Sequence, residues 1–369
     1  MIGSDETMRR TALWEAHRAL GARLVPFGGF EMPVQYGGGI LQEHDAVRKA
    51  AGVFDLSHMA QFELRGPGVG AWAEALTVNT VATIKPGGAR YNIFCNAAGG
   101  ALDDVIFYRL DGERWLLVVN AANAAKMWAH LTAHPGDGVE LTNRHGERAL
   151  IAIQGPKAAE ILSGFVAADI AAMKYYTCLE TTVRGVPAIV ARTGYTGEDG
   201  FEIFVDSDYA TNLWDALLAV RGPHGPYPCG LGARDVLRLE AGMPLYGHEM
   251  TEEIGPIQAQ LNWAVKLSKP AFIGKDALAA QVAAGDFSRI VGIVLDGKVP
   301  ARAGYPVLVD GHVAGEVRSG SLAPSLGKNI ATALVPAATA SVGASLGVEI
   351  RGTIHPATVV ALPFYKRAT

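Results

Sequence analysis

The spacing of apolar residues divides the chain into two stretches of different character, with the change at about Phe287. In the first stretch helical and strand patterns are mixed. Residues 13–20 read as a helix stopped by Gly21, and residues 42–51 as another stopped by Gly52, since glycine is preferred just past a helix end. Residues 62–64 and 91–94 read as strands. Residues 115–119 are apolar without a break, as in a strand buried on both faces, and 123–131 follow as a helix. Residues 150–153 read as a strand, with Pro156 in the first turn of the helix after it. Asp208 is placed to cap a helix carrying Leu213, Trp214, Leu217 and Leu218. This mixture predicts an α+β core rather than repeated βαβ units.

In the second stretch, residues 290–295, 305–309, 312–317, 330–335, 346–350 and 357–362 read as successive short strands. Asp310-Gly311 between two of them is a strong two-residue hairpin signal. Short strands with glycine turns and little helix predict a small β-barrel or sandwich. The expected boundary lies in Ala283-Ala284-Gly285-Asp286, giving an N-terminal region 1–285 and a C-terminal β-barrel domain 286–369.

Within the first stretch, Gly194-Tyr195-Thr196-Gly197-Glu198-Asp199-Gly200-Phe201-Glu202 stands out. Three glycines in seven residues suit a tight turn or a close approach of backbone to something else. The loop enters a strand, on which Phe201, Ile203 and Val205 share one face and Glu202 and Phe204 the other. A carboxylate in such apolar company needs a partner if it is buried, and a ligand offering paired N–H donors would be one. The alternative is a glycine-rich hairpin whose glutamate faces water.

Asn96-Ala97-Ala98-Gly99-Gly100 reads as a turn before a strand that carries Asp103 and Asp104. Adjacent strand residues point to opposite faces, so these two acids are not placed to share a proton. Either both are turn residues at a strand start, or one of them enters a site. Asn120 ends the apolar strand and opens the next helix, which also makes it a candidate N-cap. Arg234 and Arg238 stand four apart on one helical face. Both can be surface residues paired with Asp235 or Glu240, or Arg234 can hold a carboxylate or a heterocycle edge with its planar fork. Gly66-Pro67-Gly68-Val69-Gly70 lacks a Walker lysine and reads as a turn before a helix. His58, beside Met59, reads as a hydrogen-bonded structural histidine or a catalytic one.

Bulk composition narrows the function. The 369 residues are 49% apolar and 18% charged, with net charge -4 and no long run of one sign. A nucleic-acid partner, which needs a clustered basic surface, is disfavoured. Three scattered cysteines, Cys95, Cys178 and Cys229, form no C-x-x-C pair, and ten histidines show no metal spacing, so no metal is expected. The polar start, residues 1–10, carries no apolar signal core, and no apolar run reaches membrane length. A cytoplasmic, bacterial protein is expected; a mitochondrial one without its transit peptide is the other reading.

Taken in order, several segments resemble one family. They are Val25-Pro26-Phe27-Gly28-Gly29-Phe30-Glu31-Met32-Pro33, Phe54-Asp55-Leu56-Ser57-His58-Met59, residues 99–104, 194–202 and 232–242, and Arg318-Ser319-Gly320-Ser321-Leu322-Ala323-Pro324-Ser325-Leu326-Gly327. The set resembles the aminomethyltransferases, the T-proteins of the glycine cleavage system, across nearly the whole chain. The resemblance implies a three-lobed cloverleaf: two interleaved α+β lobes, a C-terminal β-barrel and a central folate tunnel. It implies that a lipoylated H-protein delivers an S-linked aminomethyl group. Tetrahydrofolate takes the carbon, giving 5,10-methylenetetrahydrofolate, ammonia and the dihydrolipoyl carrier.

By the same resemblance, Asp104 matches the catalytic aspartate, Asn120 a folate contact, and Glu202 and Arg234 the residues that hold folate. Met59, Tyr91, Tyr108, Tyr175 and Tyr195 fall at or near positions lining the tunnel, with Tyr176 adjoining Tyr175. The last contact segment is matched by Phe364-Tyr365-Lys366-Arg367, where Tyr365, Lys366 and Arg367 are all candidates. Two alternatives stay open. One is a related folate enzyme with another one-carbon donor. The other is a non-catalytic folate-binding protein, against which Lys269-Pro270-Ala271-Phe272-Ile273-Gly274-Lys275-Asp276 lacks that group's signature cysteine. A dehydrogenase is disfavoured by the missing dinucleotide fingerprint.

Overall fold

The computed structural model describes residues 8–220, 222 and 225–367; part of the polar start read above, residues 1–7, lies outside them. The chain divides into two compact units and passes repeatedly between them. One holds residues 1–69, 84–90 and 105–234, and the other 70–83, 91–104 and 235–369.

The first unit is built on a six-stranded sheet in the order Cys178–Val183, Val186–Ala191, Gly200–Asp206, Arg148–Gln154, Gly52–Asp55, Tyr227–Pro228. Neighbours are antiparallel, except that Tyr227–Pro228 runs parallel to Gly52–Asp55. The two-residue period of the Gly200–Asp206 strand decides what each side chain does. Phe201, Ile203 and Val205 enter a core with Leu213, Trp214 and Leu217 of the helix Ala210–Leu218. Each such buried side chain contributes about 1.5–3 kcal/mol. Glu202 and Phe204 take the opposite face.

A second sheet follows the order Gly88–Cys95, Ala101–Arg109, Arg114–Val119, Ala60–Arg65, Glu140–Asn143. Residues 106–109 pair with Arg114–Val119, and Ala60–Arg65 pairs with both Arg114–Val119 and Glu140–Asn143. The Ala101–Arg109 strand alternates in burial, with Asp103 fully buried and Asp104 half-buried, as opposite faces require.

The second unit contains a closed six-stranded barrel: Arg289–Leu295, Lys328–Val335, His312–Ala323, Pro306–Val309, Ser345–Ile350, Thr353–Val360, and back to Arg289–Leu295. Its core is filled by alternate residues such as Val291, Ile293, Val307, Val317, Val348 and Val359. Asp310 and Gly311 both have positive φ, 50° and 79°, the geometry a primed two-residue hairpin needs. The α+β character and the C-terminal barrel are thus as expected.

Three local expectations are corrected. The helix placed at 42–51 spans Gly39–Lys49, and Gly52 does not stop it. Gly52 is a strand residue where a Cβ would sit 2.4 Å from Val47 Cγ2 and 2.7 Å from Cys229 Sγ, so packing demands the glycine. Pro156 precedes the helix Ala158–Ser163, whose N-cap is Lys157. Asp208 does not cap its helix; the Asp206 side chain accepts the Asp208 N–H and caps a single 3-10 turn that leads into Ala210–Leu218.

Candidate active site

Glu202 is 7% exposed, so the alternative in which it faces water does not hold. Its strand neighbours directly opposite are Ala191 and Ala152. Those small side chains share its face and leave space above the sheet for larger groups. Tyr108, itself 1% exposed, donates its hydroxyl to Glu202 Oε2 at 3.0 Å, and the Thr193 hydroxyl donates to the same oxygen. The two hydroxyls lie 3.2 Å apart. Burial, then the Glu202 charge, push the Tyr108 pKa well above its usual value, so it remains a donor at neutral pH. Among the described residues, nothing hydrogen-bonds to Oε1, and that atom is not sealed from solvent.

Arg234 lies in the first turn of the helix Leu231–Glu240, with its guanidinium 4.8 Å from the centre of the Tyr195 ring. Burial lowers its pKa, while Glu202 and Tyr195 oppose that shift, so it stays a cation. It makes no ion pair with Glu202, and its side chain has no hydrogen-bond partner among the described residues. The first unit therefore holds a carboxylate with one free oxygen and a cation whose N–H groups are unspent. A planar molecule with adjacent N–H donors and a neighbouring acceptor would satisfy both.

The glycine loop that leads into the Glu202 strand shows the close approach and the turn expected of it, with Gly197 at φ 80°. Gly194 and Gly200 make room for Gln154. A Cβ on Gly194 would sit 2.0 Å from Gln154 Oε1, and one on Gly200 2.4 Å from Gln154 Nε2. Gln154 donates to the Thr193 carbonyl and accepts the Thr196 hydroxyl, bracketing Tyr195. Glu198 and Asp199 in the same loop are both held by arginines. Arg48 pairs with Glu198 at 2.8 Å, and Arg192 grips Asp199 through Nε at 3.0 Å and Nη2 at 2.6 Å.

In the second unit, Asp104 accepts the Tyr91 hydroxyl at 3.1 Å. The Tyr91 ring lies 5.7 Å from that of Trp263, which is 59% exposed. A half-buried carboxylate held by a phenol hydroxyl is chemically suited to meet positive charge that develops beside it.

The GCVT N-terminal domain family matches residues 13–269, and the glycine cleavage T-protein C-terminal barrel domain family matches residues 289–366. The chain belongs to the glycine cleavage T-protein family. The curated aminomethyltransferase of Deinococcus deserti is 48% identical over 99% of both chains, and that of Streptomyces avermitilis 49% identical over 99% of both. The crystal structure of glycine cleavage system aminomethyltransferase T from Bartonella henselae aligns with a TM-score of 0.92 at 34% identity, covering 98% of this chain and 99% of that one.

The other candidates of this T-protein chain are more dispersed. Met59 is half-buried in the turn after Gly52–Asp55, where its N–H bonds the Leu56 carbonyl at 2.9 Å. Asn120 occupies the N-cap position of a 3-10 turn but makes no side-chain cap bond. Tyr175, 49% exposed, meets Tyr176 edge to face at 4.8 Å. Tyr365 is fixed by its backbone N–H to the Glu240 carbonyl at 2.7 Å, whereas Lys366 and Arg367 are exposed. Arg238 is not a surface residue: it is buried among Asp235, Glu249 and Ser319. His58 is buried, its Nδ1 has no hydrogen-bond partner among the described residues, and burial lowers its pKa to about 4. Among the described residues no cluster could hold a metal ion, and no helix is long and apolar enough to cross a membrane. Sequence reading missed Thr193, Gln154 and Trp263. Thr193 lay one residue outside the quoted glycine motif, within reach of a strand-pairing argument.

Proposed function

We propose that this chain transfers the methylene carbon of an aminomethyl group, carried as an S-linked adduct on the dihydrolipoyl arm of H-protein, to tetrahydrofolate. The products are 5,10-methylenetetrahydrofolate, ammonia and dihydrolipoyl H-protein. The observation that carries this is the match of both T-protein family domains, with full-length relatives named aminomethyltransferase at 48% and 49% identity.

The residues support a division of labour. Glu202 Oε1 accepts the adjacent N–H donors of the pterin edge, and Arg234 meets its carbonyl oxygen. Tyr195 backs the guanidinium, and Met59, Tyr91, Tyr108, Asn120, Tyr175 and Tyr365 complete the folate contacts. As ammonia departs, the carbon gains iminium-like charge, which an ionised Asp104 stabilises while it manages the proton of the folate nitrogen. That nitrogen is the nucleophile, so the chain need not supply one. We place the protein in the cytoplasm and the domain boundary near residue 285.

The test is an assay with aminomethyl-loaded H-protein and tetrahydrofolate. The expected result is methylenetetrahydrofolate and ammonia in equal amounts. No product from this donor, with turnover of an N-methylated glycine instead, would replace this reading with the related folate enzyme.

A further inference from the structure

The Glu202 carboxylate is loaded unevenly. Both neighbouring hydroxyls, Tyr108 and Thr193, are spent on Oε2, while Oε1 is free and open. An unrestrained carboxylate would rotate, share its donors between the oxygens and offer a ligand no fixed direction. Two O–H donors on one oxygen stop that rotation. Tyr108 reaches Glu202 from the strand Ala101–Arg109, 94 residues away, whereas Thr193 follows the neighbouring strand by two residues. The Thr193 hydroxyl is therefore placed by the loop, and the loop is placed by Gln154. Gln154 is 1% exposed, holds the Thr193 carbonyl at 3.1 Å, and packs so closely on Gly194 and Gly200 that no side chain fits at either.

We propose that Thr193 is a positioning residue for folate recognition: its hydroxyl, fixed through Gln154, locks Glu202 so that Oε1 alone is presented to the N–H donors of the pterin. Thr193 does not touch the pterin in this arrangement and acts only through Glu202. The proposal rests on the folate reading of Glu202 given above. It accounts for a feature that reading leaves open, namely why a carboxylate in an apolar sheet face carries two neutral donors and no cation. A threonine kept only for packing would be replaceable by valine, which has nearly the same shape but no hydroxyl.

The experiment compares the full chain with its Thr193→Val and Thr193→Ser variants, after each is shown to melt cooperatively. Tetrahydrofolate affinity is read by calorimetry, and KM and kcat by the H-protein assay. Loss of one charge-assisted hydrogen bond should weaken folate binding of Thr193→Val by about ten-fold, seen in Kd and in the KM for folate, with kcat at saturating folate changing far less. Thr193→Ser, which keeps the hydroxyl, should bind close to the unsubstituted chain. Normal affinity of Thr193→Val, or a serine variant as weak as the valine one, overturns the proposal. So does a fall in kcat at unchanged KM, which would place Thr193 in the chemical step. If the unsubstituted chain itself fails to bind tetrahydrofolate, the folate reading falls, and this proposal with it. Binding by the unsubstituted chain and equally by Thr193→Val defeats this proposal alone.

Discussion

Two buried glutamates, one in each unit, show how the same side chain serves opposite ends. Glu249 is 2% exposed and fully used. Its Oε2 accepts from Arg238 Nη1 at 2.9 Å and the Leu245 N–H at 2.8 Å, and its Oε1 from the Thr332 hydroxyl. Burial pushes its pKa up, but Arg238, the Ser319 and Thr332 hydroxyls and the Leu245 N–H outweigh that and hold it below the usual carboxylate value. Glu202, nearly as buried, has two neutral donors on one oxygen and none on the other. The arginines repeat the contrast: Arg238 is spent on Asp235, Glu249 and Ser319, whereas Arg234 rests on a tyrosine ring with its N–H groups unspent. A polar group that the fold satisfies completely is there for the fold. One left half-satisfied and open to solvent is there for something that arrives.

The contrast can be broken in several ways. The largest effect should come from neither glutamate. Asp104→Asn should lower turnover by roughly 10²–10⁴ while folate binding and thermal stability stay near normal. Near-normal turnover would remove Asp104 from the chemistry.

Glu249→Ala should take from Arg238 its buried carboxylate, leaving the half-exposed Asp235 and the Ser319 hydroxyl, and cost about 3 kcal/mol in a guanidinium titration, with a matching loss of folded protein at physiological temperature. The sign with pH follows from its lowered pKa: the stability Glu249 supplies is present above the unfolded carboxylate value and is lost as pH falls toward its lower folded one. A neutral outcome would mean that complete pairing does not mark a structural glutamate.

His58 sharpens the other side, because its Nδ1 is unsatisfied but sealed. Its pKa falls from 6.5 to about 4 by burial, so between these values the unfolded chain binds a proton that the folded chain refuses. Stability should drop as pH falls through that window, by roughly 3 kcal/mol at its lower end. A His58→Asn variant should lose that share of the acid sensitivity, measured as the difference between the two stability–pH curves. Identical curves would show that the imidazole is hydrated in the folded state.

How much of this was legible in the sequence depends on where the deciding partner lies. The barrel was legible because its signals are local: Asp310-Gly311 sets its own turn, and each strand alternates within a few residues. The opposite faces of Asp103 and Asp104, and of Phe201 and Glu202, followed from the period of a strand alone. What failed depended on distant residues. Gly52 resembled a helix stop, but its smallness answers Cys229. The glycines at 194 and 200 signalled a close approach but not its object, Gln154, some forty residues away in the chain. The pair of hydroxyls on Glu202 joins positions 94 and 9 residues apart, a meeting only the sheets create.

The smallest energy belongs to the most direct measurement, a comparison of Glu202→Ala with the unsubstituted chain by tetrahydrofolate calorimetry and guanidinium titration on the same preparations. If the open oxygen exists for folate, affinity should fall by roughly ten- to a hundred-fold while the unfolding midpoint moves little. Unchanged affinity together with a large loss of stability would make Glu202 a second Glu249, and would contradict the account.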